Sequence, residues 1–158
     1  MRSAFDRMAW LLPPAFALHV AEEAPGFTAW VRRNACERYT QRDFVRINAL
    51  GLAITGTATV AVTRRANRGL DVTYYSLIAT QQALFNAIFH VGATAAFREY
   101  SPGLVTSLVN VLLWKRLTAA ALAERRLTVG GAIACTVAAG LVHAAAVARQ
   151  VFCIRVAQ

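Results

Sequence analysis

The chain alternates long apolar runs with short basic clusters, and this limits its possible folds more than any other feature. Arg32-Arg33, Arg64-Arg65-Ala66-Asn67-Arg68, Lys115-Arg116 and Arg125-Arg126 lie between or within the apolar runs. A hydrocarbon core about 30 Å thick is crossed by about 20 mostly apolar helical residues, and several runs approach that length. Composition agrees: 57% of the 158 residues are hydrophobic and 16% are charged, against about 25% charged in a soluble domain. A disordered chain would be polar and charge-rich. Cys36, Cys135 and Cys153 are too few, odd in number and too far apart for a disulfide scaffold or a metal knuckle; they read as small buried apolar residues. The net charge of +9, from 17 Lys and Arg against 8 Asp and Glu, would point to nucleic acid in a soluble protein. Here there is no interleaved aromatic and basic groove. The cations read as interfacial anchors and contacts to anionic lipid headgroups, with no nucleic-acid partner.

The expected fold is therefore all-α: one integral membrane helical bundle over residues 1–158, with about five transmembrane helices. The spans are expected near 8–23, 44–63, 73–97, 103–123 and 127–152. The basic start and apolar centre of the first would suit a signal peptide, but Pro13-Pro14 and a poor cleavage site at His19-Val20-Ala21 argue against one. It is expected to be short or kinked, because two prolines remove two backbone donors. Phe27, Trp30 and Val31 follow i, i+3, i+4 spacing opposite Arg32, Arg33, Glu37 and Arg38, which predicts a short interfacial amphipathic helix after the first span. Thr40 with Asp43 is a candidate cap for the second span. Lys115-Arg116 interrupts the fourth, and the Ala- and Gly-rich fifth suits close helix packing. Lys and Arg divide nine against eight between the two sides, so the positive-inside rule leaves orientation open.

Polar side chains inside hydrocarbon are costly, and each marks a functional hypothesis. At 100° per residue, Glu22 lies about 60° to one side of His19 and Glu23 about 40° to the other. All three share a face. Such a set suits acid–base chemistry or cation binding through imidazole nitrogen and carboxylate oxygen. Gln82, Asn86 and His90 form a second stripe; the amides read mainly as helix–helix hydrogen bonding and His90 as a site residue. Tyr100-Ser101-Pro102-Gly103 opens a helix, with Ser101 as N-cap and Pro102 at the first position. That helix start could receive an anionic group, with Tyr100 beside it. Asn48, Thr55 and Thr59, and likewise Thr106, Asn110 and Trp114, read as packing contacts, and His143 as a structural histidine.

Together these motifs resemble the HXXEE-domain family. His19, Glu22 and Glu23 match its first motif, His90 its second histidine, and Tyr100, Pro102 and Gly103 its Tyr-x-Pro-Gly motif. The resemblance covers roughly residues 8 to 115. Asn110 and Lys115-Arg116 depart from the apolar fourth span of the family. The resemblance implies a small integral membrane protein, suspected to be an enzyme, and supplies no substrate.

The leading expectation is a membrane-embedded enzyme in which His19, Glu22, Glu23 and His90 are catalytic and could hold one divalent metal ion. Asn86, Arg98 and Tyr100 would bind a lipid-like or other apolar substrate entering from the bilayer. Hydrolysis, isomerisation and cyclisation all fit; a di-iron centre does not, because the chain has only three His. The alternatives are a proton or cation pathway in a small carrier, against which no inverted repeat is visible, and a structural membrane protein. The expected location is the bacterial inner membrane, among membrane lipids, with a homo-oligomer open.

Overall fold

A computed structural model describes residues 3–64 and 67–151. Arg65 and Ala66 of the basic cluster, Phe152 at the end of the fifth expected span, and Cys153 lie outside the described residues. Every element among the described residues is helical: α1 (Ala4–Glu23), α2 (Phe27–Asn34), α3 (Gln41–Arg64), α4 (Arg68–Tyr74), a π-helical stretch (Tyr75–Phe85), α5 (Asn86–Phe97), α6 (Leu104–Ala123) and α7 (Val129–Gln150).

Helix starts follow the capping chemistry in the sequence. Thr40 and Asp43 make a reciprocal box: the Thr40 N–H donates to Asp43 Oδ2 (3.0 Å), and the Asp43 N–H to Thr40 Oγ1 (3.2 Å). Ser3, Asn67 and Thr128 cap α1, α4 and α7 with side-chain oxygens. At the other start the expectation changes. The N-cap of α6 is Gly103, in the left-handed region at φ 103°, and Ser101 and Pro102 belong to the turn before it. Ser101 is thereby free to use its hydroxyl elsewhere.

Three helices, α3, α6 and α7, are long and apolar enough to cross a membrane, fewer than the five expected. The two exceptions have physical causes. α1 runs unbroken through Pro13 and Pro14, but Asp6, Arg7, His19, Glu22 and Glu23 leave it too polar for its 20 residues. The segment from Arg68 to Phe97 is continuous, yet it divides into 7, 11 and 12 residues of different hydrogen-bonding register. It also carries Asp71, Gln81, Gln82, Asn86 and His90. Within α6, Lys115 and Arg116 cause no interruption, because both point outward.

Exposed apolar stripes run along the three long helices. Val105, Leu108, Val109 and Leu112 on α6, and Val129, Ile133, Val137 and Leu141 on α7, recur at helical spacing, as a lipid-facing surface requires. Inside, two cores divide the bundle. Phe5, Leu12, Tyr74, Tyr75 and Leu117 fill one. Phe27, Trp30, Tyr39 and Phe44 fill the other. The predicted i, i+3, i+4 face of α2 is thus real, but it packs on protein: Phe27 stacks on Trp30 (centroids 6.1 Å apart) and meets Phe89 edge-on (6.4 Å). On α7, a side chain on Gly140 would come within 2.8 Å of the Phe85 ring, so the small residues permit the close approach expected of them.

The helix ends gather into two poles. At one, Arg126 pairs with Asp6 (2.9 Å), Asp71 (3.0 Å) and Glu124 (3.1 Å), and its guanidinium lies 4.4 Å from the Phe5 ring centroid. Arg126, expected as a surface anchor, instead ties the starts of α1 and α4 to the turn after α6. At the other pole, Arg33 and Asn34 of α2 hold Glu99 beyond α5. Cys36, at the same pole, is buried as expected but disulfide-bonded; Cys135 is a free, buried thiol.

Candidate functional site

Near the pole where α1 ends and α6 begins, three buried side chains converge. His19 and Glu23, one turn apart on α1, face His90 of α5. Their exposures are 1%, 5% and 0% respectively. One carboxylate oxygen, Glu23 Oε1, lies 3.4 Å from His19 Nε2 and 3.4 Å from His90 Nε2. One ligand atom from each of the three falls within 4.8 Å of the others, so the trio could hold a metal ion. The spacing suits that chemistry. Two ligand atoms each about 2.0–2.1 Å from one ion, at a tetrahedral angle, lie about 3.4 Å apart.

The other ring nitrogens are fixed by hydroxyls. His90 Nδ1 is hydrogen-bonded with Ser101 Oγ (2.8 Å) and His19 Nδ1 with Thr106 Oγ1 (2.9 Å). The hydroxyl proton of Thr106 goes to Glu22 Oε2, so Thr106 accepts from His19 Nδ1–H. That leaves a lone pair on His19 Nε2, toward Glu23. Asn86 Nδ2 donates to this nitrogen at 2.6 Å. His90 Nε2 is buried and makes no hydrogen bond among the described residues. Anchored Nδ1 atoms behind convergent Nε2 atoms are the arrangement by which outer hydrogen bonds orient metal-binding imidazoles.

The two adjacent glutamates therefore do different work. Glu22 turns away from the trio and receives the Val105 and Thr106 backbone N–H groups (3.1 and 2.8 Å), the Thr106 hydroxyl and the Tyr100 hydroxyl. It closes the N-terminus of α6 with a carboxylate, satisfying free donors and the helix dipole. The anionic group expected at that helix start is the chain's own side chain. Tyr100 is half-exposed and bound to Glu22; this hydrogen bond first, and then burial, push its phenol up from the ordinary value. Arg98 is exposed at the left-handed end of α5 and joins none of these hydrogen bonds. Of the seven site residues read from the sequence, the structure brings His19, Glu23, His90 and Asn86 together. Glu22 and Tyr100 stand one hydrogen-bond layer back, and Arg98 stands apart.

Three contributors escaped the sequence reading. Ser101 reads from sequence as a cap and Thr106 as a packing contact; no local pattern links either to a histidine many residues away. Gly103 was visible as part of a motif, but its reason was not. A Cβ on Gly103 would lie 2.6 Å from His19 Cε1 and 2.8 Å from His90 Cε1. The glycine backbone is the floor on which both imidazoles rest.

A cavity of about 260 Å³ opens beside the trio. His19, Glu23 and Asn86 border it, with Phe16, Phe27, Ile47, Phe89 and Val147 giving it an apolar wall. Tyr39 also borders it; burial first, then the Glu23 and Asp43 carboxylates, push its phenol well above the ordinary value, so it stays protonated.

Residues 10–115 match the family described as "Protein of unknown function with HXXEE motif". The chain belongs to this family, and the histidine and second glutamate of the motif, His19 and Glu23, are the α1 half of the buried trio. No curated protein and no solved structure matches the chain.

Proposed function

We propose that this chain is a membrane-embedded enzyme, of the bacterial inner membrane, whose His19–Glu23–His90 trio holds one divalent metal ion and acts on a lipid-like or other apolar substrate. The observation that carries this reading is the placement of Glu23 Oε1 at 3.4 Å from both Nε2 atoms, with both Nδ1 atoms tied back by hydroxyls. A set of two imidazoles and one carboxylate is a familiar catalytic donor set, leaving positions for water or substrate. When bound, such an ion would act as a Lewis acid toward an oxygen of the substrate or of water. The chain's own residues supply the rest. Glu22, through Thr106, holds His19 in the tautomer whose Nε2 carries the lone pair, which an ion would take over from the Asn86 amide; Gly103 sets the spacing of the rings, and the apolar wall admits a hydrocarbon body and keeps bulk water out.

Elemental analysis of the detergent-purified protein tests the metal, with Glu23→Gln and a His19→Ala, His90→Ala double variant alongside. About one equivalent of zinc, iron or manganese in the parent, lost in both variants, is the expected result. A folded parent without metal would sink the metal reading. The 2.6 Å contact of Asn86 with His19 Nε2 favours a second reading, in which the same trio works without metal, Glu23 as base and an imidazole as acid. The pH dependence of Glu23 ionisation, followed by infrared spectroscopy of its carboxyl band, would then be the measurement.

A further inference from the structure

The same cavity is bordered by a second polar group that takes no part in the trio: Gln81 and Gln82 of the π-helical stretch, and His143 of α7. Hydrogen-bond accounting fixes how each is oriented. Gln81 Nε2 donates to the Ala139 carbonyl (2.8 Å), which can only accept, so Gln81 Oε1 faces His143 Nδ1 (3.0 Å). That ring nitrogen must carry the proton. With no carboxylate paired to it among the described residues, the half-buried imidazole is neutral and its Nε2 bears a lone pair. Thr55 spends its hydroxyl proton on the Gly51 carbonyl (2.7 Å), so it accepts from Gln82 Nε2. Gln82 Oε1 is left as an acceptor.

Gln82 Oε1 and His143 Nε2 are both buried, and neither has a hydrogen-bond partner among the described residues. Leaving such a group unsatisfied is unfavourable, and a donor that reaches it recovers that loss. Gln82 and His143 border one cavity, and the unsatisfied atom of each is an acceptor.

We propose that these two atoms are a recognition station for the substrate, and that the substrate is an apolar molecule carrying a hydrogen-bond-donating head, a hydroxyl or an amine. This rests on the reading of the cavity as a substrate site and adds its chemical class. A ketone, an ether or an ionised carboxylate would bring lone pairs against lone pairs and is rejected. The cavity, of about 260 Å³, has room for a short alkyl chain behind such a head.

The test compares octanol and octylamine with heptyl methyl ether, the isomer of octanol that has no donor. Thermal unfolding of the full-length protein in lipid nanodiscs reads binding, with metal content measured on the same samples. Octanol or octylamine should produce the half-maximal shift at about one-tenth the concentration of the ether, the factor expected of about 1.4 kcal/mol. Gln82→Met and His143→Phe, each near in size to the parent residue, should erase that preference while metal content stays unchanged. Equal response to the alcohol, the amine and the ether, no response to any of them, or a preference that survives in both variants, would each overturn the proposal. If a variant fails to fold, the comparison in the parent protein decides. A donor preference in a metal-free parent would leave this proposal standing and remove the metal reading; metal without the preference would do the reverse.

Discussion

At the scale of single residues, the site depends on one missing side chain. Gly103→Ala adds a methyl group 2.6 Å from His19 and 2.8 Å from His90, at a φ that other residues adopt with strain. It should destabilise the protein by about 1–3 kcal/mol and lower its metal content, measured by denaturant unfolding in detergent and by elemental analysis. The adjacent glutamates should separate in the same two assays. Glu23→Gln should lose metal and, with it, only the stability that the bound ion contributes, so that metal-stripped parent and variant unfold alike. Glu22→Ala, which strips the N-terminus of α6 of its carboxylate, should cost about 1–2 kcal/mol and retain most of the metal; equal metal loss in both would contradict the division of labour. The sequence showed His19, Glu22 and Glu23 on one face of a helix, and that was correct as far as helical angles reach. Which glutamate meets His90 depends on where α6 begins, and angles along α1 carry no information about that.

At the scale of elements, the apolar runs announced the long helices, and the Thr40–Asp43 box announced the start of α3. Runs interrupted by Asp, Gln, Asn and His were helical too, but composition could not say how their backbone would coil. Nor could it say that the amphipathic face of α2 would meet aromatic side chains instead of lipid. The Arg126 cluster gives the clearest energetic consequence. Arg126→Met leaves the Asp6, Asp71 and Glu124 carboxylates without their shared cation and should destabilise the bundle by about 2–3 kcal/mol. Partial burial pushes the Glu124 carboxyl up, but the Phe5 N–H, the Ser3 hydroxyl and Arg126 outweigh it and hold it below its ordinary value of 4.5. A carboxyl lowered by folding stabilises the folded state fully above its unfolded value and loses that contribution as pH falls through the folded one. The gap between parent and Arg126→Met should therefore be widest near neutral pH and narrow below about pH 4.5. An unchanged gap at pH 3 would show that the cluster acts by packing alone.

At the scale of the molecule, the two poles face opposite ways. Arg125, beside the ion cluster, and Arg33, beside Glu99, are both exposed. In intact vesicles, Arg125→Cys and Arg33→Cys, each in a background lacking other reactive thiols, should react with a membrane-impermeant maleimide from opposite sides. Labelling of both from one side would exclude the bundle as a membrane-crossing unit. The balance of cations in the sequence left orientation open, and this experiment decides it directly.

The π-helical stretch sets the angular phase between the two ends of one rod. Over Tyr75–Phe85 the wider coil takes more residues to complete a turn than an α-helix does. Gln81, inside this stretch, and Asn86, just past it, thereby border one cavity although an α-helical count would set them about 140° apart. Length in this stretch is therefore a functional variable in its own right. Deleting the exposed Leu77, which changes no group at the site, would let the coil tighten and rotate His90 out of register with Glu23. Metal content should fall while helix content, read by circular dichroism, stays near that of the parent. For a search among relatives, a gap inside this segment would thus mark a changed chemistry more surely than a substitution would.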